Sequence, residues 1–140
     1  MIDVKTAPYA ALVLRLSLGI ALIAHGALKV FVFTVPGTVQ FFESIGYPGL
    51  FAYLVILAEL GGGAALILGA FVRPVAVVLI PVLIGATLQH AGNGWLFTAQ
   101  GGGWEYPAFW TSMLVVQALL GAGALAVRLP VPGVVPAWAR

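Results

Sequence analysis

The stretch Leu14-Arg-Leu-Ser-Leu-Gly-Ile-Ala-Leu-Ile-Ala-His-Gly-Ala-Leu-Lys29 constrains this chain more than any other. It is apolar enough for a bilayer interior, yet it carries Arg15, His25 and Lys29. A charge at the centre of a membrane helix costs roughly 2.5–3.5 kcal/mol on insertion scales. Such charges persist when they face a bundle interior, meet a partner or serve a ligand. At about 100° per residue, Lys29 lies roughly 40° and His25 roughly 80° around the helix from Arg15. All three share one face, with His25 and Lys29 one turn apart. The rest of the fold must turn that face inward and supply partners for it.

Composition places the whole chain in the membrane. Of its residues 62% are hydrophobic and 7% charged, against about 25% charged in a soluble domain. A net charge of +2 is too small to point to nucleic acid, and no cysteine is present. Thiol–disulfide exchange, iron–sulfur clusters and thiolate metal sites by this chain alone are therefore excluded.

The expected fold is all-α: an integral membrane antiparallel four-helix bundle forming one domain over residues 1–140. The spans read as about 9–33, 50–71, 74–91 and 107–129, each near the ~20 residues a membrane helix needs. The first is too long for a signal peptide and holds Arg15, so it reads as a retained helix. Pro36-Gly37 and Gly46-Tyr-Pro-Gly49 break the chain between the first two spans. Between them a short interfacial helix is expected over about 38–46. Pro81 predicts a kink in the third span. Ala118, Ala122 and Ala126 predict a packing seam on the fourth. Pro130, Pro132 and Pro136 predict an extended tail. Lys5, Arg73, Arg128 and Arg140 flank one side, so both termini are expected in the cytoplasm.

This topology sorts the polar residues by depth. Arg15 and Glu59 lie close enough in depth for a buried ion pair, whose plain role is structural. His25 and Lys29 end the first span where Gln89 and His90 end the third, and Trp104, Glu105 and Tyr106 open the fourth. These seven residues predict one outward-facing ligand pocket. The plainer alternative is that they snorkel separately to the interface. Two His and two Glu give no metal-binding spacing on any one helix, and Lys29 repels a cation, so no metal is expected. No flavin site, phosphate loop or Gly-x-Ser-x-Gly nucleophile is readable.

The chain resembles the DoxX family of small bacterial and archaeal membrane proteins. The resemblance rests on Leu14-Arg15-Leu16-x-Leu18-Gly19, His25-Gly26-x-x-Lys29, Phe41–Gly46-x-Pro48 and Glu59-x-Gly61-Gly62-x-x-Leu66-x-Leu68-Gly69. It closes on Ala86 to His90 and Gly103-Trp104-Glu105-Tyr106. It implies a bacterial inner-membrane location and kinship with the DoxD subunit of thiosulfate:quinone oxidoreductase. It also implies a soluble redox partner of the sulfurtransferase or superoxide dismutase type. The expected function is a redox-associated subunit binding a quinone or small ligand in the polar pocket. A quinone takes a hydrogen-bond donor at each carbonyl, and the pocket side chains supply donors. No electron carrier is readable, so a partner or substrate must supply electrons. A non-catalytic scaffold for soluble redox enzymes and a small-solute transporter, which four short spans would form as an oligomer, stay open as alternatives.

Overall fold

A computed structural model describes residues 3–127. Helix α1 spans Ala7–Ala27 and runs on through a π-helical turn, Leu28–Val32. Helix α2 spans Val35–Ser44, α3 Leu50–Leu68, and α4 Val72–His90 with a 3₁₀ turn at Ala91–Asn93. Helix α5 spans Glu105–Leu120. Three segments are long and apolar enough to cross a membrane: Ala7–Val32, Leu50–Leu68 and Val72–Asn93.

Helix α2 stands where a short interfacial helix is expected, and it starts earlier than the sequence pattern predicts. Thr34 caps it by accepting the Gly37 N–H at 3.2 Å, and Pro36 suits a first turn. Pro74 sits in the first turn of α4, and Pro81 is accommodated inside that helix.

Helix α5 departs most from expectation. It ends at Leu120, not near residue 129, and its 16 residues span only about 24 Å. Gly121 stops it with φ +81°, a conformation that only glycine adopts without steric cost. The Ala118–Ala122–Ala126 seam is therefore not a helical face, since two of the three lie beyond the helix. Residues 121–127 instead fold back across the bundle end, where Ala124 N–H donates to Pro8 O and Val127 N–H to Leu68 O. The end of the predicted span, the Pro-rich tail, Arg128 and Arg140 lie outside the described residues.

Helices α1 and α3 pack on each other, as do α4 and α5, and α3 also contacts α4 and α1 contacts α5. Inside lie Leu18, Leu22, Leu66, Leu79, Leu83 and Leu114, with Trp110 at one end. Outside, Ile20, Leu57, Val78, Phe109 and Leu119 are all exposed. Apolar side chains on both faces of the helices are what a lipid-bathed chain requires.

The pairing of α1 with α3 follows from heptad spacing. On α1 the buried Arg15 and Leu22 lead to Lys29 at intervals of seven, and on α3 Ala52, Glu59 and Leu66 do the same. Arg15 meets Leu66, Gly19 meets Gly63, and Gly26 meets Glu59. Residue numbers fall on one helix as they rise on the other, so the two run antiparallel. A Cβ on Gly19 would lie 2.7 Å from Gly63 O, and one on Gly63 would lie 2.8 Å from Gly19 O. Only glycine permits this approach.

Candidate functional site

Arg15 and Glu59 do not pair. The antiparallel register puts Arg15 level with Leu66 and Ile67, about 10 Å along α3 from Glu59. Its guanidinium donates to Leu66 O at 2.9 Å and to Ile67 O, and on the other side to Ala122 O and Ala124 O, each at 2.9 Å. The first two are carbonyls of the last turn of α3, where Leu66 O also accepts the Gly69 N–H at 3.1 Å, and the others belong to the returning segment. A planar fork with five N–H donors suits four carbonyls at once. Arg15 is thus a clamp that joins three chain segments at one end of the bundle.

Glu59 pairs with Lys29. The Lys29 ammonium donates to both carboxylate oxygens, at 2.7 and 2.8 Å. The side chains are 20% and 9% exposed, respectively, so the pair is largely withdrawn from solvent. Lys29 lies in the π-helical turn, and its carbonyl accepts from the buried Thr38 hydroxyl at 3.1 Å. That bond ties α2 to the turn. π-Helical turns are rare and recur at functional sites.

His25 lies one turn before Lys29. Its Nδ1 bonds Ala21 O at 2.9 Å, which assigns the proton to Nδ1. Its Nε2 makes no hydrogen bond among the described residues. The ring packs edge-on against Trp110 with centroids 4.9 Å apart, and 6.4 Å from Tyr106. Tyr106 and Trp110 are themselves 5.1 Å apart. The structure therefore gathers His25, Lys29 and Tyr106 from the predicted pocket, and adds Glu59 and Trp110.

The other predicted residues have separate contacts. His90 Nδ1 lies 3.0 Å from Gly101 O and 3.0 Å from Gly102 O, and Asn93 Nδ2 donates to the same two carbonyls. Trp104 packs edge-on against Trp95, with centroids 4.5 Å apart. Glu105 Oε1 accepts the Phe97 N–H at 2.8 Å. Gln89 is exposed. No ring contact or hydrogen bond joins His90 to His25 among the described residues. Nor do three His, Asp or Glu side chains converge there.

Sequence reasoning missed the Lys29–Glu59 pair and Trp110. The heptad offset of Lys29 from Arg15 carries the signal for the first. Trp110, five residues after Glu105, reads as an ordinary apolar position. The four carbonyls around Arg15 are signalled by Gly69 and by Gly121-x-Gly123, helix stops that expose carbonyl groups.

The DoxX family model matches residues 10–92. "Putative oxidoreductase CatD" of Bacillus subtilis (strain 168) is 38% identical over 84 residues, 60% of this chain and 61% of that protein. The chain thus matches less than two thirds of CatD. "Inner membrane protein YphA" of Escherichia coli (strain K12) is 30% identical over 126 residues, 84% of this chain and 87% of that protein. No solved structure matches.

Proposed function

The chain belongs to the DoxX family, and we propose that it is a four-span inner-membrane protein, a redox-associated subunit that binds a quinone beside the Lys29–Glu59 pair. The observation that carries this reading is a charged pair set among apolar helices with donors to spare. Lys29 has three ammonium protons, and Glu59 is its one acceptor among the described residues. His25 Nε2 and the Tyr106 hydroxyl are likewise without hydrogen bonds there. Intramembrane charges mark ligand or proton sites by default.

The residues suit a quinone head. Its two carbonyls take hydrogen-bond donors, and its flat ring suits the aromatic surface of Tyr106 and Trp110. When bound, a quinone supplies reversible two-electron, two-proton chemistry. Lys29 donates and neutralises charge. Glu59 orients Lys29 and holds a site for a proton 2.7 Å from Nζ. With Nδ1 occupied by Ala21 O, neutral His25 presents Nε2 as an acceptor for a hydroxyl, and charged His25 presents it as a donor. The chain contains no cysteine, so it has no thiol or cysteine-held iron–sulfur cluster of its own, and in this reading a soluble redox partner supplies the electrons.

The names of CatD and YphA support redox chemistry and the inner membrane. In this reading α5 completes the bundle as a short fourth span. Lys5 and Arg73 hold the Arg15 end in the cytoplasm. His90, Trp104 and Glu105 shape the outer loop.

The test is extraction. Protein purified from membranes in mild detergent is extracted with solvent, and quinone is quantified per chain. We expect near-stoichiometric quinone in the wild type and its loss in a Lys29→Met/Glu59→Leu double variant. Equal quinone in both, or none in either, contradicts the reading.

A further inference from the structure

The loop before α5 and the first two turns of that helix border an open groove of about 480 Å³, separate from the Lys29–Glu59 pair. Trp95, Phe97, Tyr106 and Phe109 wall it, and Glu105 is its one ionisable acid. The Phe97 N–H fixes one Glu105 oxygen. No Lys, Arg or His side chain forms a salt bridge with Glu105 among the described residues. The carboxylate is held in the first turn of α5, whose N-terminus it also complements. Aromatic faces and a carboxylate favour the same ligand charge, a cation.

The groove also has a direction. Glu105, Ala108, Phe109 and Ser112 line it at helical spacing, so it follows one face of α5 for about 10 Å. The Ser112 hydroxyl is taken up by Ala108 O at 3.1 Å, which leaves the far end apolar. A ligand with a cationic head and an apolar tail matches both ends. In a chain surrounded by lipid, a bilayer amphiphile meets that description.

We propose that this groove binds one phospholipid with an ethanolamine headgroup. Its primary ammonium sits on Glu105 beside Trp95, Phe97 and Tyr106, and one acyl chain follows Ala108, Phe109 and Ser112. A glycerol headgroup brings no cation to Glu105 and carries a net negative charge toward it. This proposal does not rest on the quinone reading, although Tyr106 borders both sites.

The experiment is native mass spectrometry of the full chain in detergent, offered equal amounts of phosphatidylethanolamine and phosphatidylglycerol with matched acyl chains. The wild type should retain one ethanolamine lipid with a preference of about tenfold. Glu105→Gln keeps the acceptor for Phe97 N–H but loses the charge, and should bring the preference to parity with helicity unchanged. Phe97→Leu, at a side chain that is 65% exposed, should weaken retention without disturbing the fold. Equal retention of the two lipids by the wild type overturns the proposal. So does an undiminished preference in both variants. Glu105→Gln should leave quinone content unchanged, which separates this site from the Lys29–Glu59 pair.

Discussion

Lys29 on the π-helical end of α1 and Glu59 at the middle of α3 form a bidentate ion pair, with both contacts under 3 Å. The pair depends on helix approach. Gly26 lies about one turn before Lys29 and packs directly on Leu60 and the Glu59 Cβ. Close backbones bring a lysine ammonium onto a carboxylate in surroundings that disfavour either charge alone.

Removing one partner should therefore harm the protein more than removing both. Glu59→Gln strands the ammonium and should cost up to about 3 kcal/mol. The Lys29→Met/Glu59→Leu double variant should recover most of that loss. Thermal unfolding in detergent measures both. Additive losses in a double-mutant cycle would show that the two side chains are not coupled.

Arg15 should prove equally costly for a different reason. Arg15→Leu leaves Leu66 O with the Gly69 N–H alone and strips the side-chain donor from the other three carbonyls at that bundle end, a loss of about 3 kcal/mol. Arg15→Lys keeps the charge but not the fork, and should rescue only part. Amide exchange reads the effect locally: Ala124 and Val127, bonded to Pro8 O and Leu68 O, should exchange faster in both variants. Combined with Glu59→Gln, the Arg15 variant should behave additively, because the two residues do not touch.

The three long apolar spans and the inward face of α1 were legible in the sequence. Apolar runs and buried charges leave a strong signal when no other solvent can accept the residue. Partner choice was less legible. Depth estimates place Arg15 and Glu59 within reach, but they omit the carbonyls presented by the last turn of α3 and by the segment that returns after Gly121. Those carbonyls bind Arg15 and leave Glu59 to Lys29. The end of α5 was missed because Gly121-Ala-Gly123 lies inside a long apolar run, where composition alone continues the helix. The predicted pocket grouped residues by depth. Depth does not tell His25, which turns toward Trp110, from His90, which holds a loop.

The α1–α3 crossing should be intolerant of a single methyl group. Gly19→Ala or Gly63→Ala places a Cβ within 3 Å of a facing carbonyl and should cost about 1–3 kcal/mol. Gly61→Ala meets nothing within 4 Å and should be neutral or slightly stabilising. Melting temperatures of the three variants in one detergent decide this.

His90 should matter to the loop more than to the bundle. His90→Ala with Asn93→Ala removes the side-chain donors facing Gly101 O and Gly102 O. Limited proteolysis should then cut within residues 94–103 several times faster, with helicity retained. An unchanged cleavage rate would mean that the loop is held by its own backbone bonds alone.

Quinone binding beside Lys29 and Glu59, as proposed, would place the head group next to the Trp110 indole. The direct measurement is titration of a short-chain quinone into the protein in lipid nanodiscs, followed by quenching of Trp110, isolated by difference from a Trp110→Phe variant. Trp110 packs 4.9 Å from His25, next to the proposed head-group position. The account predicts saturable quenching, weakened by about tenfold or more in Glu59→Gln and in His25→Ala, each loss corresponding to one lost charged or polar contact. Quenching that rises linearly with quinone and is identical in all variants would reflect partition into lipid, and would contradict the claim.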